Sequence, residues 1–352
     1  MTRSATTRGD AGATPRAPVP AARPRRLLIL GVLLVALLAT CLASIAIGAR
    51  PVPLDGVWHA LFSATGTPDD LVVRSLRLPR TALGLGAGLA LGVAGALMQG
   101  HTRNPLADPG LLGVTYGAAF ALVLAVSVAG VASPYGYVWF GFAGALVASV
   151  GMFTLASTAR GGATPVTLAL AGAAVTALLH ALTTAVVLLD QRSLDAYRFW
   201  QIGALTGRDP AVVWQIAPFL LVGLVLGAAN APALNALALG EDVARALGAR
   251  VGLARLVGVV AVTVLTGATV AACGPLGFVG LVVPHAARAV CGADYRWVLP
   301  VSALLGAVLL LAADVLGRVL ARPGELQVGI MLALVGAPFL VVLVRRRRLS
   351  RL

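Results

Sequence analysis

Runs of about 20 mainly apolar residues, the length a helix needs to cross the hydrocarbon core of a bilayer, recur ten times along this chain. They lie near 27–49, 80–99, 110–130, 137–159, 165–189, 211–230, 253–272, 275–291, 297–317 and 326–344. Short polar segments separate them. The pattern predicts an all-α polytopic membrane protein of about ten transmembrane helices occupying residues 27–344, with no room left for a soluble catalytic domain. Residues 1–26, rich in Arg, Ala, Pro and Thr, read as a disordered cytoplasmic tail, and residues 345–352 as a basic cytoplasmic tail. The first run continues past Cys41 to Ile47, longer than a signal-peptide core, so it is expected to stay as an uncleaved span.

Composition agrees with the pattern and adds one exclusion. Hydrophobic residues make up 59% and charged residues 11% of 352, far from the balance of a soluble domain. All 27 basic residues are arginine. Without lysine a phosphate-binding loop of the GxxxxGK[ST] type cannot form, so any ATP hydrolysis must occur on another polypeptide. The arginines also set orientation. With both ends cytoplasmic and ten spans, 18 arginines fall inside and nine outside. The cysteines Cys41, Cys273 and Cys291 are odd in number and lack metal-ligand spacing; no metal or cofactor is expected.

On this topology the polar segment 239–252 projects into the cytoplasm. Within "LGEDVARALG" (239–248), Glu241 and Asp242 suit the positive end of a short helix, Glu241 stands four residues before Arg245, and Gly248 is a natural stop. Val243 and Leu247 share a face, with Ala244 beside them. A small helix with one apolar face suits docking into a partner's groove; resting on lipid headgroups is the other reading.

Three further patterns concern packing. Gly84, Gly88, Gly92, Ala96 and Gly100 place a small residue at every fourth position of the second span, a ribbon that lets another helix approach closely. Proline and glycine interrupt "HTRNPLADPGLLGV" (101–114) and "ACGPLGFVGLVVPHAAR" (272–288); in the first, Asp108 and Pro109 form the start signal of the next helix. Broken backbone at membrane depth needs a buried or cavity-lining setting. Finally, "PLADPGL" (105–111) and "PLGFVGL" (275–281) share P-L-x-x-x-G-L at an offset of 170, which also pairs Arg80 with Arg250. The paired positions lie on opposite membrane sides, as an inverted internal repeat requires.

Taken in order, "RLPRTALGLGAGLALGVAGALMQGHTRNPLADPGLLGVTYGAA" (77–119), "LGEDVARALG", "GPLGFVGLVVPHAAR" (274–288), "AADVLGR" (312–318) and "VGIMLALVGAPF" (328–339) resemble the permease subunits of binding-protein-dependent ABC importers for iron-siderophores, haem and cobalamin. The resemblance implies a ten-span subunit paired with a copy of itself or a related permease. It also implies two cytoplasmic ATPase subunits, an extracytoplasmic solute-binding protein and surrounding membrane lipid as partners, and no nucleic acid. Cargo is expected to be a ferric siderophore first, with haem or cobalamin behind it. Carried over residue by residue, the ATPase-coupling helix matches Leu239, Gly240, Glu241, Asp242, Ala244, Leu247 and Gly248. Arginines that meet acidic groups of the binding protein match Arg77, Arg80 and Arg318; for Arg318 the competing reading is a pair with Asp314, four residues earlier. The pathway is implied to run along the fifth and last spans, where Gly172, Thr176 and Thr183 offer small or weakly polar positions.

Other polar residues carry less. His285 has no second ligand at helical spacing, and His59, His101 and His180 are equally isolated, so packed roles are expected. An ion-coupled carrier is the alternative function; the scarcity of ionisable groups within the spans speaks against it. No nucleophile and base stand at helical spacing, so an intramembrane enzyme has no support.

Overall fold

The computed structural model describes residues 23–48, 52–131, 133–159 and 164–349. These are predominantly helical, with no strand among them. The first half runs α1 (Arg23–Ala46), α2 (Leu54–Phe62), α3 (Pro68–Leu71), α4 (Leu78–Thr102), α5 (Val114–Ser127), α6 (Pro134–Thr158), α7 (Pro165–Leu189) and α8 (Gln191–Gln201). It continues through α9 (Ala211–Ala238), α10 (Glu241–Ala246), α11 (Val251–Cys273), α12 (Val279–Cys291), α13 (Tyr295–Leu320) and α14 (Val328–Leu349). A π-helical stretch, Val72–Arg77, feeds α3 into α4, and a single 3₁₀ turn, Pro109–Leu112, precedes α5.

Each of the ten expected spans holds one helix. Seven are long and apolar enough to cross a membrane; α5, α12 and the apolar part of α14 are shorter. Two of these are short because the chain breaks before them. Asp108 accepts from the Gly110 N–H at 2.8 Å, as a helix start signal should, yet it caps only the 3₁₀ turn; Gly113, at φ 72°, then separates that turn from α5. Gly274, at φ 77°, ends α11 in the same way, several residues before α12 begins. The boundaries of both tails shift. Helix α1 begins at Arg23, so the last four residues of the expected 1–26 tail are helical, and 1–22 lie outside the described residues. At the far end α14 runs on to Leu349 through most of the segment expected as a 345–352 tail, because nothing in that arginine run breaks a helix; 350–352 lie outside the described residues.

The glycine ribbon explains the centre of the fold. Along α4, Gly84 abuts Leu311, Gly88 abuts Gly306 and Ala307, Gly92 abuts the Ser302 carbonyl, and Gly100 abuts Tyr295. The partner of the ribbon is therefore α13, running antiparallel, and no side chain larger than hydrogen fits at Gly88 or Gly92. Gly95 rests on Gly280 at the start of α12, and Gly280 in turn meets Pro109. The two P-L-x-x-x-G-L segments, expected on opposite membrane sides, instead meet beside α4, because each folds back toward the middle of the bundle before its short helix begins. Each follows a long helix, α4 or α11, and leads into a short one, the element pattern an internal repeat produces.

Two ends of the bundle can be named from contacts. At the basal end the start of α1 meets the start of α13 through an Arg26–Asp294 ion pair at 3.9 Å, and Asn235 of α9 donates to the same carboxylate at 2.7 Å. At the apical end Ser44 of α1 bonds Thr81 of α4 at 2.8 Å. Helix α14 starts apically, where the Gly329 N–H bonds the Gly203 carbonyl. Its 22 residues are enough to carry it to the basal end, since a helix of that length spans about 33 Å at the usual rise.

Candidate functional site

Helix α10 stands at the basal end between α9 and α11. Gly240, at φ 111°, turns the chain out of α9, and the acids Glu241 and Asp242 occupy the first turn, where the helix dipole favours them. The far end closes as a Schellman motif. There the Ala249 N–H reaches the Ala244 carbonyl and the Gly248 N–H the Arg245 carbonyl, each at 2.9 Å, with Gly248 at φ 82°. Arg245 pairs with Glu241 at 3.1 Å and with Asp242 at 3.2 Å, the first of these in the i to i+4 geometry anticipated from spacing. A contact the spacing does not reveal is shorter: Arg255 of α11, its side chain only 14% exposed, holds Glu241 at 2.6 Å. The two residues are 14 apart along the chain, a separation that carries no periodic signal.

The apolar residues of this segment divide by face. Ala244 is wholly buried against the bundle, whereas Leu239, Val243 and Leu247 are 63%, 47% and 67% exposed. Helix α10 is held to α11 by the Glu241–Arg255 ion pair, and Val243 with the flanking Leu239 and Leu247 leaves three large apolar side chains incompletely covered.

At the apical end the arginines form one network. Arg80 sends three hydrogen bonds to Asp314, at 2.8 to 3.2 Å, and a fourth to Glu325 at 2.7 Å. Arg318 pairs with Asp314 at 2.9 Å, the competing pairing that their spacing suggests. It also donates to the carbonyls of Ser44 and Ile47 at 2.9 Å, while Arg77 donates to those of Ile45 and Ala46 and Arg322 to that of Gly48. The last carbonyls of a helix have no intrahelical donor; here guanidinium groups supply the donors for the end of α1.

The three arginines carried over as docking residues are therefore engaged within the chain. Arg77 and Arg318 are 6% and 2% exposed, buried because α1 leaves carbonyls that only long donors can reach. They are not lost to the surface altogether. Arg77, Arg80, Arg208 and Arg318 line an apical pocket of about 290 Å³ together with Glu325 and Asp209. Arg74, Arg192, Arg198 and Arg322 are exposed at the same end, and no sequence motif marks them as docking residues.

The residues expected along the pathway also have defined places. Gly172, Thr176 and Thr183 lie along one face of α7, and that face turns into the protomer: Gly172 and Thr183 are buried, the Thr183 hydroxyl bonds the Leu179 carbonyl at 2.7 Å, and Thr176 is half-buried beside Gly113. Small residues sit where another helix comes close, and this face of α7 packs within the protomer. The rest of α7 is largely uncovered, with Leu170, Leu178 and Leu188 at 66%, 60% and 79% exposure. His285 meets Phe339 of α14 edge-on at 5.9 Å and His101 packs against Gly258, the packed roles expected for both.

Comparison with known proteins places this geometry. The FecCD transport family matches residues 35–346. The ferric enterobactin transport system permease protein FepD of Escherichia coli (strain K12) is 46% identical over 323 residues, 92% of this chain and 96% of that protein. The hemin transport system permease protein HmuU of Yersinia pestis is 38% identical over 331 residues, covering 92% and 97%. Among solved structures, a putative metal-chelate type ABC transporter in an inward-facing conformation superposes with a TM-score of 0.76 at 28% identity, covering 91% of this chain and 99% of that one.

Proposed function

Because this chain belongs to the FecCD transport family, we propose that it is the membrane-spanning permease subunit of an ABC importer for an iron chelate, with a ferric siderophore as cargo and haem or cobalamin ranked behind it. The observation that carries the reading is α10: a charged, capped helix at one end of an otherwise apolar bundle, with Leu239, Val243 and Leu247 outward. In this reading the basal end faces the cytoplasm, and so do the start of α1 and the end of α14. A separate ATPase subunit grips α10. ATP-driven motion passes through the Glu241–Arg255 ion pair into α11 and through the continuous chain into α9, and both pack against the central α4.

Substrate arrives at the apical end on a solute-binding protein. The pocket lined by Arg77, Arg80, Arg208 and Arg318 accepts an acidic side chain of that protein, with Arg74, Arg192, Arg198 and Arg322 steering approach from the rim. The second permease copy or relative packs near the uncovered face of α7, so the pathway follows the outward positions Ala173, Ala177 and Thr184 rather than Gly172, Thr176 and Thr183. Uptake of radioiron-labelled siderophores, labelled haem and labelled cobalamin in a strain lacking this chain tests the reading. One chelate should lose uptake and regain it with the restored chain; unchanged uptake of all three would reject the cargo class. Transport by the purified chain alone, driven by an ion gradient in liposomes, would reject ATPase coupling.

A further inference from the structure

Between α9 and α13, over the basal half of the bundle, runs a groove of about 410 Å³ floored by Val93 of α4. Its walls are two facing helical stripes: Leu224, Ala228 and Pro232 on one side, Arg296, Leu299 and Pro300 on the other. Sequence explains why the helices part here. Pro232 and Pro300 both lie inside their helices, where each removes a backbone hydrogen bond and bends the helix through its ring. Alanine at 228, 231 and 303 is too small to fill the gap. The rim residues Ala228, Pro232 and Pro300 are exposed, so the groove opens sideways, onto the surface that hydrocarbon covers.

The mouth differs from the walls. Arg296 stands at the basal end of the α13 stripe, exposed, and makes no ion pair among the described residues. The nearest acid in sequence, Asp294, is already occupied: it accepts from Asn235 at 2.7 Å and from the Arg296 backbone N–H at 3.0 Å, and pairs with Arg26 at 3.9 Å. An apolar slot open to the bilayer cannot stay empty without forfeiting dispersion contacts, and water is not available there to fill it. A cation at the level of the headgroups, above that slot, selects by charge.

The geometry points to a bound anionic phospholipid, one acyl chain in the α9–α13 groove and its phosphate on Arg296. The inference requires only that the bundle spans a bilayer; it is independent of cargo and of the ATPase.

Native mass spectrometry tests it on the full purified chain, exchanged into nanodiscs of phosphatidylglycerol and phosphatidylcholine with identical acyl chains. Wild type should retain one phosphatidylglycerol in preference to phosphatidylcholine. Arg296→Gln should cut that preference about fivefold, the attraction of one interfacial cation, whereas Arg103→Gln, an exposed basal control, should leave it intact. Ala303→Phe, which fills the groove, should lower retention of both lipids. An unchanged preference in Arg296→Gln overturns the proposal even if Ala303→Phe fails to fold. So does a dimer in which a second copy covers the groove and no lipid is retained.

Discussion

Replacing Leu247 with alanine removes a side chain that the isolated protomer scarcely uses. Fully burying a leucine is worth about 1.5–3 kcal/mol, and Leu247 is 67% exposed, so about 1–2 kcal/mol remains for a partner to gain by covering it. Loss of that contact weakens binding about five- to thirtyfold. Adding Leu239→Ala and Val243→Ala, at 63% and 47% exposure, extends the loss to about 3–5 kcal/mol, or about two to three and a half orders of magnitude. The assay is titration of the purified ATPase subunit onto permease in nanodiscs, with thermal unfolding of the permease run alongside. Unfolding should stay within about 0.5 kcal/mol of wild type, as for a surface substitution. Partner affinity within twofold of wild type in the triple variant would refute the assignment of α10 as the grip. Equal loss of affinity and of permease stability would show that these side chains serve the fold instead.

Other substitutions probe the remaining links. Arg255→Gln severs the 2.6 Å contact to Glu241; the ATPase should still bind, but substrate moved per ATP should fall, and an unchanged ratio would remove this pair from the lever. Asp314→Ala strands Arg80 and Arg318 around a carboxylate that is 1% exposed, and should cost about 3–5 kcal/mol in thermal unfolding; a loss below about 1 kcal/mol would mean the network is dispensable. Gly92→Leu drives a side chain into the Ser302 carbonyl, whereas Gly31→Leu meets nothing within 4 Å. Size-exclusion chromatography should show the first aggregated and the second monodisperse, and equal profiles would contradict the α4–α13 packing.

The helical architecture was legible because bilayer spans announce themselves by length and apolarity, and each of the ten runs contains a helix. The α10 segment was legible as well, since acids at 241 and 242 and glycines at 240 and 248 are local start and stop signals that need no tertiary partner. Span lengths were less so: Gly113 and Gly274 shorten α5 and α12 through backbone conformation, which hydropathy does not register. The arginines were the hardest to place. Arg77 and Arg318 follow sequence motifs but point at carbonyls of α1 more than 30 and 270 residues away, and no periodicity relates those positions.

Short-range chemistry alone dictates a lysine-free chain with no phosphate-binding loop, ten apolar runs, a charged helix closed by glycines, and a ribbon of small residues that had to meet another helix. Which helix it meets, which face of α7 turns inward, and which guanidinium closes the end of α1 were decided only in three dimensions. The reason is that a small or charged residue states a need, close approach or an opposite partner, without stating who meets it; the answer depends on which helices the whole bundle brings within a few ångströms.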